Sequence, residues 1–208
     1  MNRGLLLTAR LELSTASEAD AAAWLDYELR NRRHFAPLSP RRDEAWFSLA
    51  AAQARAQQAQ QDLLAGRACT WLLRRRDDAA RAVIGHVTLS EIVRGVFQAA
   101  YLGFGVDHAE RGQGLAREAL ELVIEHAFGK LGLHRLMANH LPENFASSRL
   151  LHKLGFVQEG FAPNYLLLNG YWRDHVLTAL SNPDWQAAAP AADSASATPL
   201  ATDKDTPL

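Results

Sequence analysis

The residue pattern of this 208-residue chain predicts a mixed α/β fold, and three observations carry that prediction. Strand-like and helix-like stretches alternate, mainly in the second half. A meander of three strands, marked by apolar runs between polar turns, occupies the middle. It leads into a stretch whose apolar residues switch to helical spacing. The order read is β-α-α-β-β-β-α-β-α-β-β, that of a mixed sheet covered by helices.

Residues 5–13 alternate loosely as a strand, and Ser17, a favoured capping residue, starts an Ala-rich helix containing Trp24, Leu25 and Leu29. Residues 43–66, rich in Ala, Gln, Leu and Glu, form a second helix, with Pro37 and Pro40 breaking the chain between the two. The segment 33–42 around those prolines reads as a substrate-side loop. Strands are expected at 69–75, 82–92 and 97–106, with turns at Asp77-Asp78 and Arg94-Gly95. Leu115, Ala119, Leu120, Val123, Ala127 and Phe128 then fall on one helical face. A strand at 134–139, a helix at 144–154 ended by Gly155 in a left-handed cap, and strands at 156–159 or beyond and 171–180 complete the series.

The folded unit is expected to be one domain, residues 1–185, followed by a disordered tail, 186–208. The tail is Ala, Pro, Ser, Thr and Asp with almost no large apolar residue, too little to offset the entropy of ordering. An apolar content of 48%, a charged content of 22% and a net charge of −1 show none of the basic excess of a dedicated nucleic-acid binder. Cys69 is the single cysteine, so no internal disulfide forms and a cytosolic setting is expected. The apolar patch at 5–7 ends at Arg10 and Glu12, short of a signal peptide or membrane span, so no membrane partner is expected. Eight scattered histidines without HExxH or CxxC spacing predict no metal.

The chemistry concentrates where the third meander strand meets its helix, at Arg111, Gly112, Gln113, Gly114, Leu115 and Ala116. First-turn amides with no helical partner, aided by the helix dipole, receive phosphate oxygens, and the two glycines let the backbone approach closely. The alternative is a glycine pair that only shapes a tight loop. GxxxxGK[ST] is absent, and GxGxxG fails because His108 and Arg117 stand where its last glycine would be, so nucleotide hydrolysis and dinucleotide binding lose support.

Arg111-x-x-Gly114-x-Ala116 resembles the pyrophosphate-binding motif of the GNAT superfamily, and Asn144-x-x-Ser147-x-x-x-x-x-Lys153-x-Gly155-Phe156 resembles its second block. Residues 94–95, 101–103, 134–139, 159–160 and above all 165–185, with Trp172-Arg-Asp-His-Val-Leu-Thr-Ala-Leu180, are similar to RimJ-type ribosomal-protein-alanine N-acetyltransferases. The resemblance implies the GNAT acyl-CoA N-acyltransferase fold and transfer of acetyl from acetyl-CoA to the N-terminal α-amine of a protein, an Ala-starting ribosomal one. It implies that backbone at Phe104, Gly105 and Val106 pairs with the pantetheine arm, and that Asn144 and Ser147 lie beside it. An enzyme for a small amine, or a non-catalytic CoA-binding or ribosome-assembly module, stands as the alternative. On either side of the loop, Asn144 reads equally as a helix cap.

Acyl transfer needs a neutral amine and a protonated leaving thiolate. Glu91 is the first candidate base and Glu159 the second, each with plain solvation as its alternative. No tyrosine lies in 144–154, which departs from many family members and leaves Ser147 as the nearest hydroxyl for the acid or for orienting the arm. His34, Arg94, Tyr165 and Trp172 are candidates for the acceptor groove, with ordinary surface as the alternative for the charged residues and core aromatics of the sheet for Tyr165 and Trp172. The basic clusters Arg32-Arg33, Arg41-Arg42 and 74–76 either meet ribosomal RNA or are solvated surface.

Overall fold

The computed structural model describes residues 4–186; the expected tail, from residue 187 on, lies outside them. Twelve elements follow in order: β1 (Leu6–Leu7), β2 (Leu11–Thr15), α1 (Ala21–Phe35), α2 (Leu49–Leu64), β3 (Cys69–Arg75), β4 (Val83–Val93), β5 (Ala99–Val106), α3 (Leu115–Gly129), β6 (Arg135–Met137), α4 (Phe145–Lys153), β7 (Val157–Leu168) and β8 (Tyr171–Ser181). They build one eight-stranded sheet in the order β1-β2-β3-β4-β5-β6-β8-β7. The fold is the mixed α/β sheet expected.

Three stretches take their form for identifiable physical reasons. The first strand is split, because the Thr8 amide bonds the Leu11 carbonyl at 3.0 Å and turns the chain. The segment 33–42 is less of a loop than expected: α1 runs to Phe35 and a 3-10 turn spans Ala36–Leu38. β7 runs through Pro163, which a central strand would not accept; β7 pairs only with β8 and so leaves an edge where the missing N–H costs nothing.

The sheet separates two helical layers. On one face α3 lays Leu115, Ala119, Leu120, Val123 and Ala127 onto Leu13, Trp71, Leu73, Ala100, Leu102 and Leu136, with Leu151 of α4 alongside. Period-two alternation sends Leu72 to the other face, where it meets Tyr27, Trp24 and Phe35 of α1. Helices α1 and α2 join through Ala21, Ala52 and Ala56.

All pairings are antiparallel except β5 with β6, whose crossover α3 supplies. That parallel pairing covers only Ala99, Ala100 and Tyr101 against Arg135, Leu136 and Met137. Beyond it β5 continues to Val106 bonded to β4, whereas the chain after β6 follows β8, through Ala138 N to Thr178 O at 3.0 Å and a bridge between His140 and Val176. The two strands part, and a wedge opens beside 102–106.

Candidate active site

A cleft of about 1110 Å³ occupies the wedge and extends over both its ends. At one end lies the loop before α3. Its capping residue, Gly114, sits at φ 78°, as does Gly112, a conformation that side chains with a Cβ resist. Gly114 offers no side-chain cap, so the first amides of α3 stay free where Leu115, Ala116 and Arg117 line the cleft. Arg111, Arg149 and Lys153 also line it, with no carboxylate partner among the described residues. Free amides plus unpaired cations are a donor set for phosphate oxygens, so the residues present fit the pyrophosphate of coenzyme A.

This loop is held from distant parts of the chain. Arg10 Nη1 donates to the Gln113 carbonyl at 2.9 Å while its Nε donates to Glu118 at 2.6 Å. Asn31, fully buried in α1, accepts from the His108 amide at 2.8 Å. Asp107 caps the following 3-10 turn through the Ala109 amide and is bonded by Arg30, contacts that hold its carboxyl below the ordinary carboxylate range against the opposing effect of burial.

The other end is made of side chains on the α1 face of the sheet. Gly105 has no room for a side chain: a Cβ there would lie 2.9 Å from His86, 3.0 Å from the Tyr27 hydroxyl and 3.3 Å from Phe35. At Gly103, two residues back on the same face, a Cβ would meet nothing within 4 Å. The floor is therefore plugged at Gly105 and open at Gly103. Around that opening the cleft is lined by Thr88, Asn139 and His175. Behind them the Tyr165 hydroxyl accepts from Asn139 Nδ2 at 3.2 Å and stands 3.3 Å from the Tyr101 hydroxyl.

In the plug, Tyr27 Oη lies 3.3 Å from His86 Nδ1. Burial and then Arg42 push the His86 pKa down to about 4, and burial with the nearby Asp107 and Glu28 carboxylates pushes the Tyr27 phenol up, so both are neutral at pH 7. Above them, the mouth is framed by Glu28, which accepts from Arg55 at 2.6 Å and from Trp46 Nε1 at 3.1 Å, with Arg42 and Arg55 stacked on the Trp46 ring.

Of the residues expected from sequence, Phe104, Gly105, Val106, Arg111, Gly112, Gly114, Leu115, Ala116, Asn144, Ser147 and His34 all line the cleft. Their setting refines the expectations. Asn144 Oδ1 accepts from the Ser147 amide at 3.1 Å, so it caps α4 as well as facing the cleft. His34 stands with His108, ring centroids 5.0 Å apart, beside Arg111, so it belongs to the loop end rather than to the acceptor end. Burial, then Arg111 and His108, lower its pKa.

Other expected residues are not brought to the cleft lining. Gln113 turns its side chain to Glu110 and Arg75. Glu159 is ion-paired with Arg135, and Glu91 sits exposed at a bulge of β4 with φ 50°, close enough to Tyr101 for its charge to act on that phenol. Arg94 donates to the Leu131 carbonyl at 2.6 Å, and Trp172 is exposed on the β7–β8 hairpin. Tyr165 lies one side chain behind the wall. Sequence reasoning missed Tyr27, His86, Asn139, His140 and His175 as site residues; none carries a local signal, since what unites them is sheet register.

A mixed sheet that opens between two parallel strands, with a free-amide helix start at the mouth of the gap, is the framework of an acyl-CoA-using transferase. Residues 10–157 match the acetyltransferase (GNAT) domain family, and the chain belongs to that family, as a GNAT-type acetyl-CoA-dependent acetyltransferase. It is 40% identical over 180 residues to the [ribosomal protein uS5]-alanine N-acetyltransferase of Escherichia coli (strain K12), a match covering 86% of this chain and 92% of that protein. The crystal structure of ribosomal-protein-S5-alanine acetyltransferase from Vibrio fischeri superposes with a TM-score of 0.83 at 33% identity, covering 88% of this chain and 99% of that one. Mycobacterium smegmatis RimJ in complex with CoA-disulfide superposes with a TM-score of 0.77 at 28% identity, over 82% of this chain and 81% of that one.

Proposed function

We propose that this protein transfers the acetyl group of acetyl-CoA to the N-terminal α-amine of a protein, and that the acceptor is a ribosomal protein beginning with alanine. The observation that carries this reading is the near full-length similarity to the E. coli uS5-alanine enzyme, at 40% identity. The physical chemistry agrees. An α-amine has a pKa of about 8 against about 10.4 for lysine, so more of it is neutral and nucleophilic near pH 7. The opening over Gly103 gives a small first side chain room that Gly105 would refuse.

The charge of the cleft weighs against a polyamine acceptor. The carboxylates on its lining are Glu28 and Glu110; Glu28 is bonded by Arg55 with Arg42 near, and Glu110 is paired with Arg75. A polycation would find cations at both ends. Thiol release should therefore be at least tenfold faster with an Ala-starting peptide than with the same peptide blocked at its α-amine but carrying lysine, or with spermidine. Equal or greater turnover of spermidine would refute the acceptor assignment.

A further inference from the structure

Neither Glu91 nor Glu159 lines the cleft, so the structure does not bring the carboxylate receivers expected from sequence to its walls. Two histidines reach the cleft in the region where β5 and β6 part, His140 and His175, and both are buried apart from that exposure. In each, Nδ1 lies within hydrogen-bond distance of a backbone carbonyl: Leu141 O at 2.9 Å for His140, Arg173 O at 3.0 Å for His175. A carbonyl only accepts, so Nδ1 carries the hydrogen and Nε2 carries the lone pair. No described residue bonds either Nε2.

Sheet register separates the two. Ala138 and Leu136 belong to the core under α3, so Asn139 between them and His140 points to the opposite face, toward Tyr165. His175 is on that same face, its ring 5.5 Å from Tyr165 and tilted 55° to it. The open position at Gly103 lies there too, because Gly105, two residues on, meets α1. We propose that His175 is the proton acceptor of the transfer, taking the amine proton at Nε2, directly or through one water, with Tyr165 and Asn139 as positioning residues. As the amine nitrogen bonds the thioester carbon, the carbon–sulfur bond breaks. One proton leaves nitrogen for Nε2, and the resulting imidazolium returns one to the sulfur through water or the Tyr165–Tyr101 hydroxyl pair.

The groups that share this environment are Tyr165 from β7, Tyr101 from β5, Glu91 from β4 and His140 across the bridge; on β8 itself Arg173 pairs with Glu143, and Asp174 is bonded to the Asn164 amide. A pH profile must be read with all of them in view. The proposal uses the acetyl-transfer reaction of the family and rests on the proposed α-amine acceptor only for the choice of peptide.

The deciding variant is His175→Asn, whose amide N–H can replace Nδ1–H toward the Arg173 carbonyl while removing the Nε2 lone pair. With an Ala-starting peptide, kcat at pH 7 is expected to fall about 100-fold, the low end for general-base catalysis. The deficit should narrow toward pH 9 as hydroxide takes over, with acetyl-CoA affinity by calorimetry unchanged within about twofold, a scatter well below a tenfold step of 1.4 kcal/mol. A kcat within about threefold of the unmodified protein, small beside the range expected of a general base, would overturn the proposal. So would a pH-independent loss, or His140→Asn reproducing the pH-dependent deficit while His175→Asn does not. Nitrogen-15 NMR of the unmodified protein is a check that needs no variant: a proton on Nε2 rather than Nδ1 of His175 at pH 8 would overturn it as well. Should the protein turn over spermidine and no Ala-starting peptide, the acceptor assignment fails, and the same variants assayed with spermidine still decide the role of His175.

Discussion

The two ends of the cleft are built by opposite means. The phosphate end is backbone: free amides and two glycines at φ 78°, braced by Arg10 and Asn31 from far along the chain. The acceptor end is side chains, packed until a single added methyl at Gly105 would clash with His86 and crowd Tyr27 and Phe35. A backbone receptor tolerates side-chain change so long as the turn survives, whereas a side-chain wall does not. Point substitutions should accordingly do more harm at the acceptor end.

The strongest way to break that contrast is Gly105→Ala. Overpacking against His86, Tyr27 and Phe35 should cost toward the upper part of the usual range of about 1–3 kcal/mol, measured by denaturant unfolding. Gly103→Ala, facing open space, should leave stability within about 1 kcal/mol and lower kcat/KM for the peptide instead. Equal stability losses at the two positions would erase the distinction between plug and opening.

A second effect, on the order of 3 kcal/mol, concerns acid. His86 has a folded pKa of about 4 against an ordinary 6.5, so between those values the unfolded chain binds the extra proton and stability falls as pH falls. Its contribution is full above about pH 6.5 and gone below about 4. Replacing His86 with Gln should flatten that segment of the stability–pH curve; an unchanged slope would remove His86 as its cause.

The smallest effect belongs to the backbone-built side. Asn144→Ala removes the cap on the Ser147 amide and should cost about 1 kcal/mol of stability. If acetyl-CoA affinity weakens more than about tenfold without that loss, Asn144 is a ligand-holding side chain and the contrast must be redrawn.

This asymmetry also governs what could be read from sequence. The loop at 111–116 was legible because its information is local: glycine conformation, a helix start, an apolar period. β3 was expected at 69–75 and is found there, since a strand-length apolar run between turns announces itself. The acceptor end was not legible, because Tyr27 and His86 meet 59 positions apart and His175 gains meaning only from register with Asn139 and Gly103. Glu91 looked well placed as a strand-end acid, but the β4 bulge turns the backbone there to φ 50° and leaves the residue exposed. The far end of β7 was left open beyond 159, because Pro163 and Asn164, at φ 50°, carry the local marks of a strand end. Only its place at the rim of the sheet admits them.

The short parallel seam has a mechanical consequence. Five strands on one flank and three on the other are stitched by three residue pairs, and the notch beyond is a break in hydrogen bonding between strands. An extended molecule carrying amides, lodged there, would serve as a guest strand that lengthens the stitching. A co-substrate whose amides paired there would supply continuity across the middle of the sheet at each turnover and surrender it when the spent thiol departs.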